Sequence, residues 1–200
     1  MQAATEYAAL LDLIQWLNEN TADLSFKTGD QNMLAIGCFD VALENQAAIA
    51  LLHSAGLYSS AFALLRVLAE ALVRGVWLLH CASDGELAKF KRGKLDQTFD
   101  QLTKAVEKAI GDPLEVLSRF KRVAWASLNG FAHTGFHQVS RRHKPGRVEA
   151  NFSDDDLAKA LGLAGSLGMI AAGQIAGLSE KEDLAAKFLE RMEAYAKPAP

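Results

Sequence analysis

The sequence predicts an all-α fold: a helical bundle of six or seven helices, four of them long and antiparallel. Three observations predict it. No stretch alternates apolar and polar residues convincingly at period two, so essentially no sheet is expected. Helix caps and glycine stops punctuate the chain at regular intervals. Four apolar-periodic runs have matched lengths of about 24 residues, roughly 36 Å each at 1.5 Å per residue, as a bundle requires.

The first helix covers residues 5–18, where Leu10, Leu13, Ile14 and Leu17 recur at helical spacing. "NENTADLSFKTGD" is a polar linker. A long helix follows over 30–54, Gly56 stops it, and Tyr58 or Ser59 opens the next, which runs to about Ala82. So short a connection forces the two to lie antiparallel. Ser83 and Glu86 have the spacing of a capping box and open a short helix that stops near Lys91. "KRGK" is a turn. A further helix covers 99–110 and stops at Gly111. "DPLE" then supplies an acidic cap, proline at the first helical position and Glu115, which predicts a long helix over 113–140. "RHKPGRVEAN" is a loop. Ser153 caps the next long helix, with Asp154, Asp155 and Asp156 at its positive end, and the helix ends at Gly177. Ser179 caps the last, with Glu182 closing its box.

Two hundred residues build one good core, and no linker is long enough to divide them, so 1–200 is expected to be a single domain with a frayed tail over 196–200. Half the residues are hydrophobic, which excludes a disordered chain. A net charge of -3 leaves nucleic-acid binding only to a local patch. Cys38 and Cys81 make no Cys-x-x-Cys pair and read as free thiols in a reducing compartment. The N-terminus has no basic region before its apolar part and does not read as a secretory signal. The most apolar stretch, 64–81, carries Arg66, Glu70 and Arg74, so a buried helix is expected and no membrane span. The predicted location is the cytoplasm. The helix after Ser153 carries Gly162, Gly165, Gly168, Gly173 and Gly177. Each costs up to ~1 kcal/mol against alanine, which close helix approach offsets, within the chain or across a homodimer on this helix or a neighbour.

Two polar stripes are the candidate functional features. Arg66, Glu70 and Arg74 are spaced by four on a helix that is otherwise apolar almost all round. They span only ~80° of it, too narrow for a free solvent face. Asp40 and Glu44 on the preceding helix have the same spacing. A ladder is therefore predicted, Asp40 with Arg74 and Glu44 with Arg66, and Glu70 linking the arginines. On the 113–140 run, Arg122, Asn129, His133 and His137 lie opposite the core face. His133 and His137 are four apart, but zinc needs more ligands and no Glu stands between them, so no metal site is expected. The predicted cleft collects Asp40, Glu44, Arg66, Glu70, Arg74, Asn129 and His133, and holds either an anion or the ladder itself. His133 is its acid–base candidate at neutral pH. Arg141, Arg142, Lys144 and Arg147, with His143 among them, form the densest positive cluster and the candidate phosphate contact. No phosphate-cradling glycine loop and no Gly-x-Ser-x-Gly elbow occurs, so no cofactor is expected.

In "SAFALLRVLAEALVRGVWLLHCA" and "LNGFAHTGFHQVSRR" the chain resembles a bacterial family of uncharacterised all-helical proteins that is itself similar to the HEPN superfamily, the nucleotide-binding domains of higher eukaryotes and prokaryotes. The carriers of the resemblance are 66–70, then 129–133 followed by Arg141 and Arg142. It implies a HEPN-like bundle and a dimer. In the superfamily's ribonucleases an Arg and a His separated by four to six residues, contributed by each of two subunits, cleave RNA without metal. Other members bind nucleotides or act as non-catalytic partners in defence. Arg74 and His80 have that spacing, with Gly75 following the Arg. Three functions are thus expected to compete. The first is a non-enzymatic bundle binding a protein partner or an anionic ligand in stress or defence. The second is a metal-independent ribonuclease using Arg74 with His80 or His133. The third is a small-molecule or metal-binding bundle.

Overall fold

The computed structural model describes residues 2–196. Nine helices are present among them, where six or seven were expected: α1 (Gln2–Thr21), α2 (Asp30–Ser54), α3 (Tyr58–His80), α4 (Asp84–Lys91), α5 (Phe99–Ile110), α6 (Val116–Ala132), α7 (Phe136–Ser140), α8 (Asp154–Leu178) and α9 (Leu184–Ala196). The fold is an all-helical bundle, but the HEPN-like set of four long helices is not what it contains. The 113–140 run that was to be one of the four breaks, and α1, longer than its periodic stretch, becomes a long helix instead.

Each departure has a local cause. α6 starts at Val116 because Glu115 sits in the left-handed region at φ 48°. The Asp112 carboxylate instead accepts the N–H groups of Leu114 and Val116, both at 2.9 Å, and winds the Pro113 segment into a turn. α6 ends because Thr134 is left-handed, φ 53°, and the Gly135 N–H donates back to the Gly130 carbonyl at 2.7 Å. That six-to-one bond is the Schellman ending of a helix. A Cβ on Gly135 would lie 3.0 Å from the Gly130 Cα, so this crossing of the backbone needs glycine. α1 gains its first turn from a distant residue: the Asp154 carboxylate accepts the Gln2 N–H at 2.8 Å. Ser179 caps no helix start. It ends α8 and forms an antiparallel bridge with Phe26, and α9 begins only at Leu184. The expectation of essentially no sheet holds apart from one small hairpin, in which His143–Lys144 pairs with Arg147–Val148 around Pro145 and Gly146. The tail expected to fray lies outside the described residues, apart from Ala196 at the end of α9.

The capping box of α4 is as read: Ser83 accepts the Glu86 N–H while the Glu86 carboxylate accepts from Ser83. Those bonds, the Ser83 N–H first, hold the Glu86 carboxyl below the usual carboxylate range.

α2 and α3 form the antiparallel hairpin that the short turn at Gly56 dictates, and they pack against each other most extensively. At their crossing Gly75 admits the fully buried ring of Phe39. α8 lies across this hairpin and carries α1 and α9 on its other side, where Leu13, Leu17, Met169, Ala172 and Phe188 make a second cluster. Two of its glycines are used inside the chain. A Cβ on Gly165 would lie 1.9 Å from the Tyr195 hydroxyl, and one on Gly168 would lie 2.2 Å from the buried Gln46 amide. By length and composition α2 and α8, and not the 64–81 stretch, are apolar enough to cross a membrane. In this fold α8 is the central helix of the bundle.

Candidate functional site

The expected cleft resolves into two separate places on α3, because Arg66 and Arg74 stand eight residues apart, hence roughly 12 Å along the helix as well as roughly 80° around it. Arg66 turns toward α6. Its Nε donates to Glu70 Oε1 at 3.0 Å, and a second nitrogen reaches the same oxygen at 2.9 Å. Its guanidinium carbon lies 5.4 Å from the centre of the Trp125 ring, and Trp125 is stacked on Phe99 at 3.7 Å. A third nitrogen of Arg66 meets His133 Nε2. A guanidinium only donates, so that imidazole nitrogen accepts, and the ring proton belongs on Nδ1. Arg66, Glu70 and His133 thus come together as predicted. Asn129, one turn before His133, has its side-chain oxygen Oδ1 buried without a hydrogen-bond partner. The Arg66 cation itself is satisfied: it has a carboxylate, an aromatic face and an imidazole, and little of it is left for a ligand.

Asp40 and Glu44 do not join it. Both are exposed, and no ion pair links either to an arginine among the described residues. The reason is helical phase. The buried row of α2 is Ala35, Phe39, Ala42, Gln46 and Ile49. At 100° per residue, Asp40 and Glu44 lie roughly 135° and 175° from the centre of that row, facing away from α3. The predicted ladder does not form.

Arg74 therefore pairs with no carboxylate among the described residues. Its side chain turns into a groove between α2, α3 and α4, of about 360 Å³, lined also by Cys38, Ala71 and Phe90. Its Nε is buried with no hydrogen-bond partner. The Cys38 thiol lies close enough to sense it: burial pushes the thiol up, and the positive charge of Arg74 opposes that. A buried guanidinium donor without an acceptor is costly, of the order of 1–3 kcal/mol, and sequence reading missed it by giving Arg74 the wrong partner. The signal was present in the phase of Asp40 on α2.

His80 is exposed at the end of α3. Six residues place it roughly 9 Å beyond Arg74 along the helix and a third of a turn around it, so the two do not converge within one chain. His137 has moved onto α7 and packs on Gly130, where an added Cβ would meet its ring at 3.0 Å. Among the described residues no group of three or more His, Cys, Asp or Glu is placed to hold a metal ion.

The basic cluster is largely neutralised from within. Arg141 makes a two-pronged pair with Asp156, at 2.5 and 3.2 Å, and lies over the Phe152 ring. Lys144 and Arg147 both pair with Glu149, at 2.7 and 3.4 Å. Arg142 stays exposed. Phosphate contact through the first three would require breaking these pairs. Asp156 also closes the capping box of α8. Burial pushes its carboxyl up, but the Ser153 hydroxyl and N–H, with Arg141, outweigh burial and hold it below the usual range. A depressed carboxyl stabilises the fold above its ordinary value near 3.9 and loses that contribution as pH falls through the folded value. Asp156→Asn is expected to cost about 1 kcal/mol at pH 7. Urea denaturation at a series of pH values should show the gap from wild type closing below about pH 4. A gap unchanged at pH 3 would refute the assignment.

On the outer side of α6, Val116, Phe120 and Val123 with Leu163 of α8 line an apolar groove of about 500 Å³, and Val123 is 85% exposed.

The model of a family of unknown function, DUF6988, matches residues 39–200, from the Phe39 turn of α2 through every later element. Nothing in that match links the chain to the HEPN superfamily. No curated protein and no solved structure matches the chain.

Proposed function

The chain belongs to the DUF6988 family, and we propose that it is a non-enzymatic binding protein whose ligand is a small anion held by Arg74. One observation carries this reading: the guanidinium of Arg74 borders an open groove with a buried donor and no carboxylate, whereas Arg66 and Arg141 are each engaged by one. A cation kept in that state at a cost to the fold gains most from an acceptor that arrives from outside. Binding in place of catalysis is supported by the fate of the acid–base candidates. His133 is held by Arg66, and His80 stands apart from Arg74.

Thermal unfolding of wild type and Arg74→Gln against a panel of small anions tests the reading. A ligand present at a hundred times its dissociation constant stabilises by about 2.7 kcal/mol. For a chain of this size that raises Tm by about 5–10 °C. At least one anion is expected to do this for wild type and not for the variant. A panel with no effect, or with equal effect on both, overturns the proposal. So does cleavage of mixed RNA by the wild type that is lost in His133→Ala.

A further inference from the structure

Accepting that an anion seats at Arg74, the groove itself narrows the class of that anion. We propose that the ligand is an amphiphilic carboxylic acid, one acid head on an unbranched or compact apolar body, lying along the groove with its carboxylate on Arg74. This inference rests on the preceding reading and deepens it.

Size is the first argument. About 360 Å³ takes on the order of a dozen water-sized groups. The walls are the second. Met33, Leu34, Val41 and Phe90 present hydrocarbon, thioether and an aromatic ring, and Gly37 leaves the α2 side of the groove without a side chain. Such walls reward an apolar body and penalise a polar one. Charge is the third. Among the described residues Arg74 is the one charged residue lining the groove, and Cys38, raised by burial, stays a neutral thiol. One guanidinium matches one carboxylate in a two-pronged geometry. A phosphate dianion or a polycarboxylate would leave charge uncompensated against apolar walls.

Isothermal titration of the full chain with decanoate, 1-decanol and inorganic phosphate separates the possibilities. Decanoate is expected to bind at least tenfold more tightly than decanol or phosphate, and to lose at least tenfold in Arg74→Gln. A second variant guards against a folding artefact. A Cβ at Gly37 meets nothing within 4 Å, so Gly37→Leu fills the groove without a backbone clash. It also replaces a poor helix former in α2 with a good one. It should unfold at or above the wild-type temperature and fail to bind decanoate. If phosphate binds in an Arg74-dependent way and decanoate does not, the amphiphile class is overturned while anion binding stands. If decanoate binds equally to wild type and either variant, the groove is not its site. If none of the three binds, both the class and the preceding reading fall.

Discussion

Phe39→Ala is expected to destabilise the protein by about 3–5 kcal/mol and to lower Tm by roughly 6–20 °C. The ring is fully buried and stands where α2 crosses α3. Its partner across the crossing is the bare backbone of Gly75: a Cβ there would fall 2.5 Å from one ring carbon and 2.7 Å from the next. Truncating the ring removes its transfer free energy and leaves a cavity that the long hairpin closes only in part. With total stabilities of about 5–15 kcal/mol for domains of this kind, such a loss is a large fraction of the whole. The converse change tests the geometry. Gly75→Ala should destabilise wild type, since the ring has little room to yield, and should cost less in a Phe39→Leu background. Urea denaturation of the two single variants and the double variant gives the coupling directly. Strict additivity would mean that Phe39 and Gly75 are not in contact.

Glu107→Ala should cost about 2–4 kcal/mol, far more than an ordinary surface glutamate. Glu107 is a buried carboxylate on α5. One of its oxygens accepts the backbone N–H of Ser118 at 2.6 Å, and the other accepts the Ser118 hydroxyl at 2.6 Å. Ser118 lies in the first turn of α6, whose own cap residue Glu115 makes no side-chain cap. The neighbouring helix therefore supplies both an acceptor for an orphan donor and a negative charge at the positive end of the dipole. Glu107→Gln keeps an oxygen for the N–H and an amide for the hydroxyl but drops the charge. It is expected to cost about 1 kcal/mol. Equal, small effects of Ala and Gln in thermal or urea unfolding would show that α6 does not depend on this contact.

Several features of this protein are local, and they were legible. The hairpin of α2 and α3 follows from three residues of turn around Gly56. The box at Ser83 and the cap at Ser153 follow from side chains three residues from their partners. Arg66 with Glu70 follows from a spacing of four. The Glu107 cap was invisible, because its two ends are eleven residues apart across a turn that sequence reading took for a helix start. The break of α6 at Thr134 was missed because a non-glycine residue occupies the left-handed position, where the sequence rule looks for glycine. Gly130 and Gly135, the pair that lets the backbone cross itself, were there to be read.

The sequence by itself determined an all-helical bundle, the starts of α2, α3, α4, α5 and α8, and a charged stripe on an otherwise apolar helix, since these depend on periodicity and on bonds spanning one turn. Tertiary structure decided which charges meet across helices. A helix sets the angle between its own side chains but not the direction in which it is docked. The docking of α2 and α6 against α3 turned Asp40 and Glu44 to water, brought His133 and Trp125 to Arg66, and left Arg74, among the described residues, without a carboxylate at the groove.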